Sequence, residues 1–153
     1  MIESVLRCLV LILSLAGLLD AIYFTLAYYG RVKKARWVPE ILCAREGSSC
    51  VTVLQTPYAR LLGLPNSLLG IAYYLALIGG VPAANRLGLY RAGVGMPLTS
   101  LAWALVAASA ATVVLGCYLM FTLRRKLRVH CPLCYTAHAV NVALLVLLIV
   151  LFW

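Results

Sequence analysis

Apolar residues run almost unbroken through four stretches of this chain, at about 5–29, 66–81, 98–123 and 131–153, with polar or basic connections between them. A helix crosses a hydrocarbon layer roughly 30 Å thick in about 20 residues. The first, third and fourth stretches reach that length; the second, followed by Pro82, is short. Backbone in lipid has to satisfy its own polar groups, so all four are expected to be helices. The predicted fold is therefore an all-α membrane protein: one integral membrane domain over 1–153, a four-transmembrane-helix bundle. Arg7 ahead of an apolar run imitates a secretory signal. That run continues past Asp20 without a small-residue cleavage site, which predicts a retained helix.

The connections are unequal. Residues 30–65 form a long polar, basic loop, Pro82 to Pro97 a medium one with Gly88, Gly93 and Gly95, and Arg124 to His130 a tight basic turn. With four helices, the long loop and the tight turn fall on the same membrane face. Within the loop, Thr56-Pro57 has the form of an N-cap followed by proline at the first helical position. Leu54, Tyr58, Leu61 and Leu62 then recur at helical spacing, which predicts a short amphipathic helix lying on the interface as a lid over the bundle mouth.

Composition agrees with this picture. The chain is 65% hydrophobic and 11% charged, which excludes an ordinary soluble domain. The 13 basic residues against 4 acidic ones suit a lipid bilayer with anionic headgroups. They sit in short flanks rather than along one face, which argues against nucleic acid as a partner. Ten of the 13 lie on the long-loop side: Arg31, Lys33, Lys34, Arg36, Arg45, Arg60, Arg124, Arg125, Lys126 and Arg128. Arg7, Arg86 and Arg91 lie on the other. The positive-inside rule then places the loop face in the cytoplasm of a multi-pass cell-membrane protein.

Two cysteine pairs carry the candidate chemistry. Cys131-Pro-Leu-Cys134 opens the fourth helix, and Cys43 and Cys50 bracket a polar segment of the long loop. With Pro132 as the first helical residue, Cys131 is the N-cap, where the helix dipole favours thiolate. Cys134 lies a turn deeper, within reach of a membrane-dissolved oxidant. His138 shares its helix face, and its imidazole can donate a hydrogen bond to a quinone carbonyl or be satisfied by a neighbouring helix. Cys43 and Cys50 suit a dithiol shuttle that exchanges electrons with the membrane pair. A structural disulfide and a four-thiolate zinc site are the alternatives. Cys8 and Cys117, without a motif, are expected as small buried hydrophobes. Asp20, an acid inside a span, is the feature that fits a non-enzymatic transporter or scaffold.

Taken in order, Cys43-x6-Cys50, Thr56, Pro65-Asn66-Ser67-x-x-Gly70 and Cys131-x-x-Cys134 resemble the vitamin K epoxide reductase family over most of the chain. The resemblance implies an enzyme that passes electrons from a reduced thioredoxin-like protein to a membrane quinone of the menaquinone or ubiquinone type. It implies a mixed disulfide at Cys43, relay from Cys50 to Cys131, and Cys134 facing the quinone, with no metal. Thr56 matches a Ser/Thr position tied to activity in the family, and Asn66 matches a residue that hydrogen-bonds the quinone. Both positions also fit helix capping. His138 stands where some members, the vertebrate enzymes among them, carry Tyr, so plain quinone reduction is expected rather than epoxide chemistry. No fused thioredoxin-like domain is expected, so the redox partner is a separate protein. Members usually hold the cysteine loop outside the cytoplasm. The inverted arrangement predicted from the charges suits a hyperthermophile, whose cytoplasmic proteins can be rich in disulfides.

Overall fold

The computed structural model describes residues 2–31, 56–61, 63–86, 96–128 and 131–152. Its frame is four helices, α1 (Ile2–Tyr28), α2 (Asn66–Arg86), α3 (Met96–Thr122) and α4 (Pro132–Phe152), each carrying a stretch long and apolar enough to cross a membrane. Large apolar side chains point outward from all of them, among them Ile12, Leu19, Leu75, Trp103, Val114, Val146 and Val150. Such a surface is solvated by hydrocarbon and would aggregate in water. The helices form a closed ring in which α1 packs on α2 and α4, and α3 joins α4 to α2.

The inner face of α1 is Val10, Ser14, Gly17, Ala21 and Phe24, at alternating spacings of four and three. Small residues in that stripe let helices approach closely, which matters because lipid supplies no hydrophobic drive for helix association. Gly17 is a socket for the Tyr74 ring; any Cβ there would overlap it. Tyr74, Leu77, Val81, Leu105, Leu144 and Leu148 continue the core away from the cysteine end. Within it, Tyr73 donates to Ser109 Oγ at 2.9 Å, and Ser109 in turn donates to the Leu105 carbonyl at 2.8 Å.

α1 closes at Gly30, whose φ of +66° allows the Arg31 N–H to reach back to the Leu26 carbonyl at 2.8 Å. The interfacial helix expected after Thr56 is realised as one 3-10 turn, Pro57–Ala59. The chain then extends into a small hairpin, β1 (Arg60–Leu61) on β2 (Leu64–Pro65), turned through Gly63 at φ +82°. That left-handed glycine competes with continuation of the helix and wins. Leu54 and Leu62 lie outside the described residues.

The second helix also differs from expectation. It runs through Pro82 to Arg86 instead of stopping at 81. Proline removes one backbone donor, but membrane helices tolerate it where neighbours hold both sides, and Val81 and Ala84 are both fully packed. α3 is prolonged by a π turn, Leu123–Leu127, closed by Arg128 at φ +52°. Cys8 and Cys117, expected to be buried, are instead exposed on the outside of the bundle. A small apolar thiol is as compatible with a lipid-facing surface as with a core.

The loop face is assembled by cations resting on aromatic rings. Lys126 lies 5.1 Å from the Tyr58 ring centre, Arg124 5.8 Å from Tyr135 and Arg60 5.6 Å from Tyr28. The Tyr58–Lys126 contact brings the long loop and the α3–α4 turn to the same end of the bundle.

Candidate functional site

Pro132 begins α4, so Cys131 occupies its N-cap. The Cys131 sulfur accepts the Cys134 N–H at 3.3 Å, and its carbonyl accepts the Tyr135 N–H at 3.2 Å. Neither cysteine forms a disulfide among the described residues. Cys131 is completely buried against Phe24 and Leu123, with Tyr28, Leu133 and Cys134 beside them. A hydrogen bond from the Cys134 thiol holds the Cys131 thiol below its ordinary pKa; burial opposes this, and the Cys134 and Leu133 backbone N–H groups assist it. The pair is thus arranged with the Cys131 sulfur as the acceptor of hydrogen bonds from Cys134.

Cys134 opens onto a cavity of about 170 Å³ lined by all four helices and the 3-10 turn. Phe24, Ala59, Leu119, Met120 and Leu123 supply apolar wall, while Asp20, Asn66, Tyr74, Cys134, His138 and Asn141 supply polar groups. Cavities of roughly 150 Å³ admit a benzene-sized ring, so the space suits the head of a lipid-soluble ring compound with hydrogen bonds at its edges.

The α4 side of the cavity is a stripe: Cys134, His138 and Asn141 follow Cys131 at spacings of three, four and three. Asn141 accepts the Tyr74 hydroxyl at 2.7 Å across the bundle, leaving its NH₂ to donate. The His138 ring is seated against Gly116, where a Cβ would stand 2.5 Å from Nδ1. Nδ1 is buried without a hydrogen-bond partner among the described residues, which leaves Nε2 as the nitrogen available to an occupant. Asn66 begins α2 and donates one amide N–H to the Tyr58 carbonyl at 3.1 Å. It thereby ties the 3-10 turn over the cavity and retains a second N–H and its carbonyl oxygen.

Thr56 precedes that turn, but its hydroxyl does not cap it. The Ala59 N–H is already taken by the Thr56 carbonyl at 3.1 Å, and a single turn offers a side-chain cap little else. Cys43 and Cys50 lie outside the described residues. The structure therefore gathers Cys134, Asn66 and His138 on one cavity, with Cys131 behind its wall. It adds Asp20, Tyr74, Asn141 and Gly116, which the sequence reading did not assign to the site. Asn141 was available from the α4 spacing; Gly116 and Tyr74 carry no local signal.

A thiol pair at the mouth of a membrane-spanning helical bundle, opening on a ring-sized cavity, marks a membrane thiol oxidoreductase. The chain belongs to the vitamin K epoxide reductase family, whose sequence model matches residues 8–149. No curated protein matches it significantly. Family membership makes it a multi-pass membrane thiol–disulfide oxidoreductase linked to quinone.

Proposed function

We propose that the protein is a quinone-dependent disulfide oxidase. It takes electrons from a reduced thioredoxin-like protein through Cys43/Cys50 and then Cys131/Cys134 to a quinone of the menaquinone or ubiquinone type in the cavity, and so supports disulfide formation. The observation that carries this reading is the Cys131–Cys134 arrangement: a buried, hydrogen-bonded sulfur at the helix N-cap, with its partner lining a ring-sized space. Cys43 takes the mixed disulfide with the partner, Cys50 passes electrons to Cys131, and Cys134 faces the quinone. Asn66 and His138 donate hydrogen bonds to its carbonyl oxygens, and Thr56 supports the turn that roofs the site.

Relay order is tested by trapping. Cys134→Ala removes the resolving thiol and is expected to accumulate a Cys50–Cys131 disulfide, whereas Cys43→Ala blocks the protein partner but leaves small dithiols effective. Finding only Cys43–Cys131 links by mass spectrometry of digests overturns the order. The cysteine face is proposed as cytoplasmic, on the strength of the ten basic residues that flank it. An impermeant thiol reagent applied to intact cells carrying a single-cysteine Cys43 variant should leave it unlabelled; ready labelling from outside overturns this orientation.

A further inference from the structure

Asp20 is a carboxyl within the bundle that the electron relay does not use. It lies on the α1 wall of the cavity, beside α4, and among the described residues it has no hydrogen-bond or ion-pair partner. Its depth follows from its neighbours. Phe24 packs at the level of Cys131, and four residues of helix place Asp20 about 6 Å further in. On the same scale Cys134 is about 4.5 Å and His138 about 10 Å inward of Cys131. The carboxyl therefore faces the cavity between the levels of the inner thiol and the imidazole. The titratable groups around it are Tyr23 on its own helix, Tyr74 on α2, and Cys131, Cys134 and His138 on the α4 side. Among the described residues, no lysine or arginine lines the cavity.

An ionisable side chain inside a membrane protein, facing a cavity and unpaired, marks a proton or ion pathway by default. The chemistry here has such a need. Closing the Cys131–Cys134 disulfide releases a proton from Cys134, and reducing a quinone consumes two, in a space lined largely by apolar side chains. We propose that Asp20 is the proton carrier of the quinone-reducing step, moving the Cys134 proton to a quinone oxygen. This rests on the cavity being the quinone site, as proposed above.

The Cys134 S–H bond breaks and its proton passes to the Asp20 carboxylate. The Cys131–Cys134 S–S bond forms, and the electron pair so released enters the quinone ring. One ring oxygen takes the proton from Asp20, restoring the carboxylate. The other takes one from water at the mouth, equivalent to the proton Cys131 lost on ionising.

The test is Asp20→Asn, which keeps the size and hydrogen-bonding capacity of the side chain but cannot carry the proton. Quinone turnover with a dithiol donor should fall about 10²-fold, while the KM for quinone stays within about threefold. Quinone-free thiol exchange with the donor should change far less than quinone turnover, and azide or formate should restore part of the lost turnover. Asp20→Glu, which retains a carboxyl, should turn over well above the amide variant. Wild-type turnover in Asp20→Asn overturns the proposal. So does a loss that small acids do not rescue and that falls equally on Asp20→Glu, since that is the behaviour of a packing residue. Absence of quinone reduction in the wild-type protein would instead defeat the underlying assignment of the cavity.

Discussion

Gly116→Ala puts a single methyl group against the His138 ring. The added Cβ would stand 2.5 Å from Nδ1 and 3.1 Å from both Cγ and Cε1, where ordinary contact begins at 3.4 Å. Moving the imidazole from 2.5 Å out to 3.4 Å shifts it by about 0.9 Å, toward the cavity or along α4. Overpacking of this kind costs about 1–3 kcal/mol of stability. A misplacement near 1 Å at a reacting site costs on the order of 10²-fold in rate. The expected phenotype is a lowered melting temperature in detergent, with quinone turnover reduced about 10- to 100-fold and quinone-free thiol exchange unchanged. A double-mutant cycle isolates the cause: in a His138→Ala background the space is vacant, so Gly116→Ala should add nothing further. Equal effects of Gly116→Ala in both backgrounds, or wild-type turnover of the single variant, would refute the seating of His138 as the reason Gly116 matters.

Other consequences follow from individual contacts. Tyr74→Phe deletes the 2.7 Å hydrogen bond to Asn141 and should lower stability by about 0.6 and at most about 1.7 kcal/mol, read as the midpoint of denaturant unfolding in micelles. Asn66→Ala frees the 3-10 turn from α2 by removing the bond to the Tyr58 carbonyl; it should raise the KM for quinone more than it lowers kcat, as steady-state kinetics would report. The Cys131 thiol is held low chiefly by the Cys134 hydrogen bond, so Cys134→Ala should move the pH profile of Cys131 alkylation upward toward the ordinary value of about 8.5. The folded protein binds this proton less tightly than the unfolded chain. Its contribution to stability is therefore complete above about pH 8.5 and is lost as pH falls through the lowered value, a trend that unfolding midpoints across pH would reveal.

Much of the bundle is written in hydropathy alone, because a span in lipid has few alternatives to a helix. Pro132 likewise announces where α4 starts, and with it the N-cap position of Cys131. What hydropathy does not mark is which side of a uniformly apolar helix looks inward. Asp20 was therefore visible as an acid in a span but not as part of the cavity. The stripe Val10, Ser14, Gly17, Ala21 and Phe24 contains the missing signal in its small residues. The sockets at Gly17 and Gly116 belong to tertiary packing, each defined by a ring from another helix. The interfacial helix is shorter than the helical spacing of Tyr58 and Leu61 predicts, because Gly63 turns the chain into a hairpin. Pro82 signalled a stop that packing at Val81 and Ala84 overrides.

The central claim is that electrons cross from the α4 cysteine pair to a quinone in the adjoining cavity. The most direct measurement is the absorbance of a soluble quinone analogue mixed with the purified protein and a small dithiol, for the wild-type chain and for Cys134→Ala. The account predicts stoichiometric, catalytic loss of quinone with donor oxidation in the wild type and none above background in the variant. Quinone reduction that persists in Cys134→Ala, or that is missing from the wild type, would contradict it.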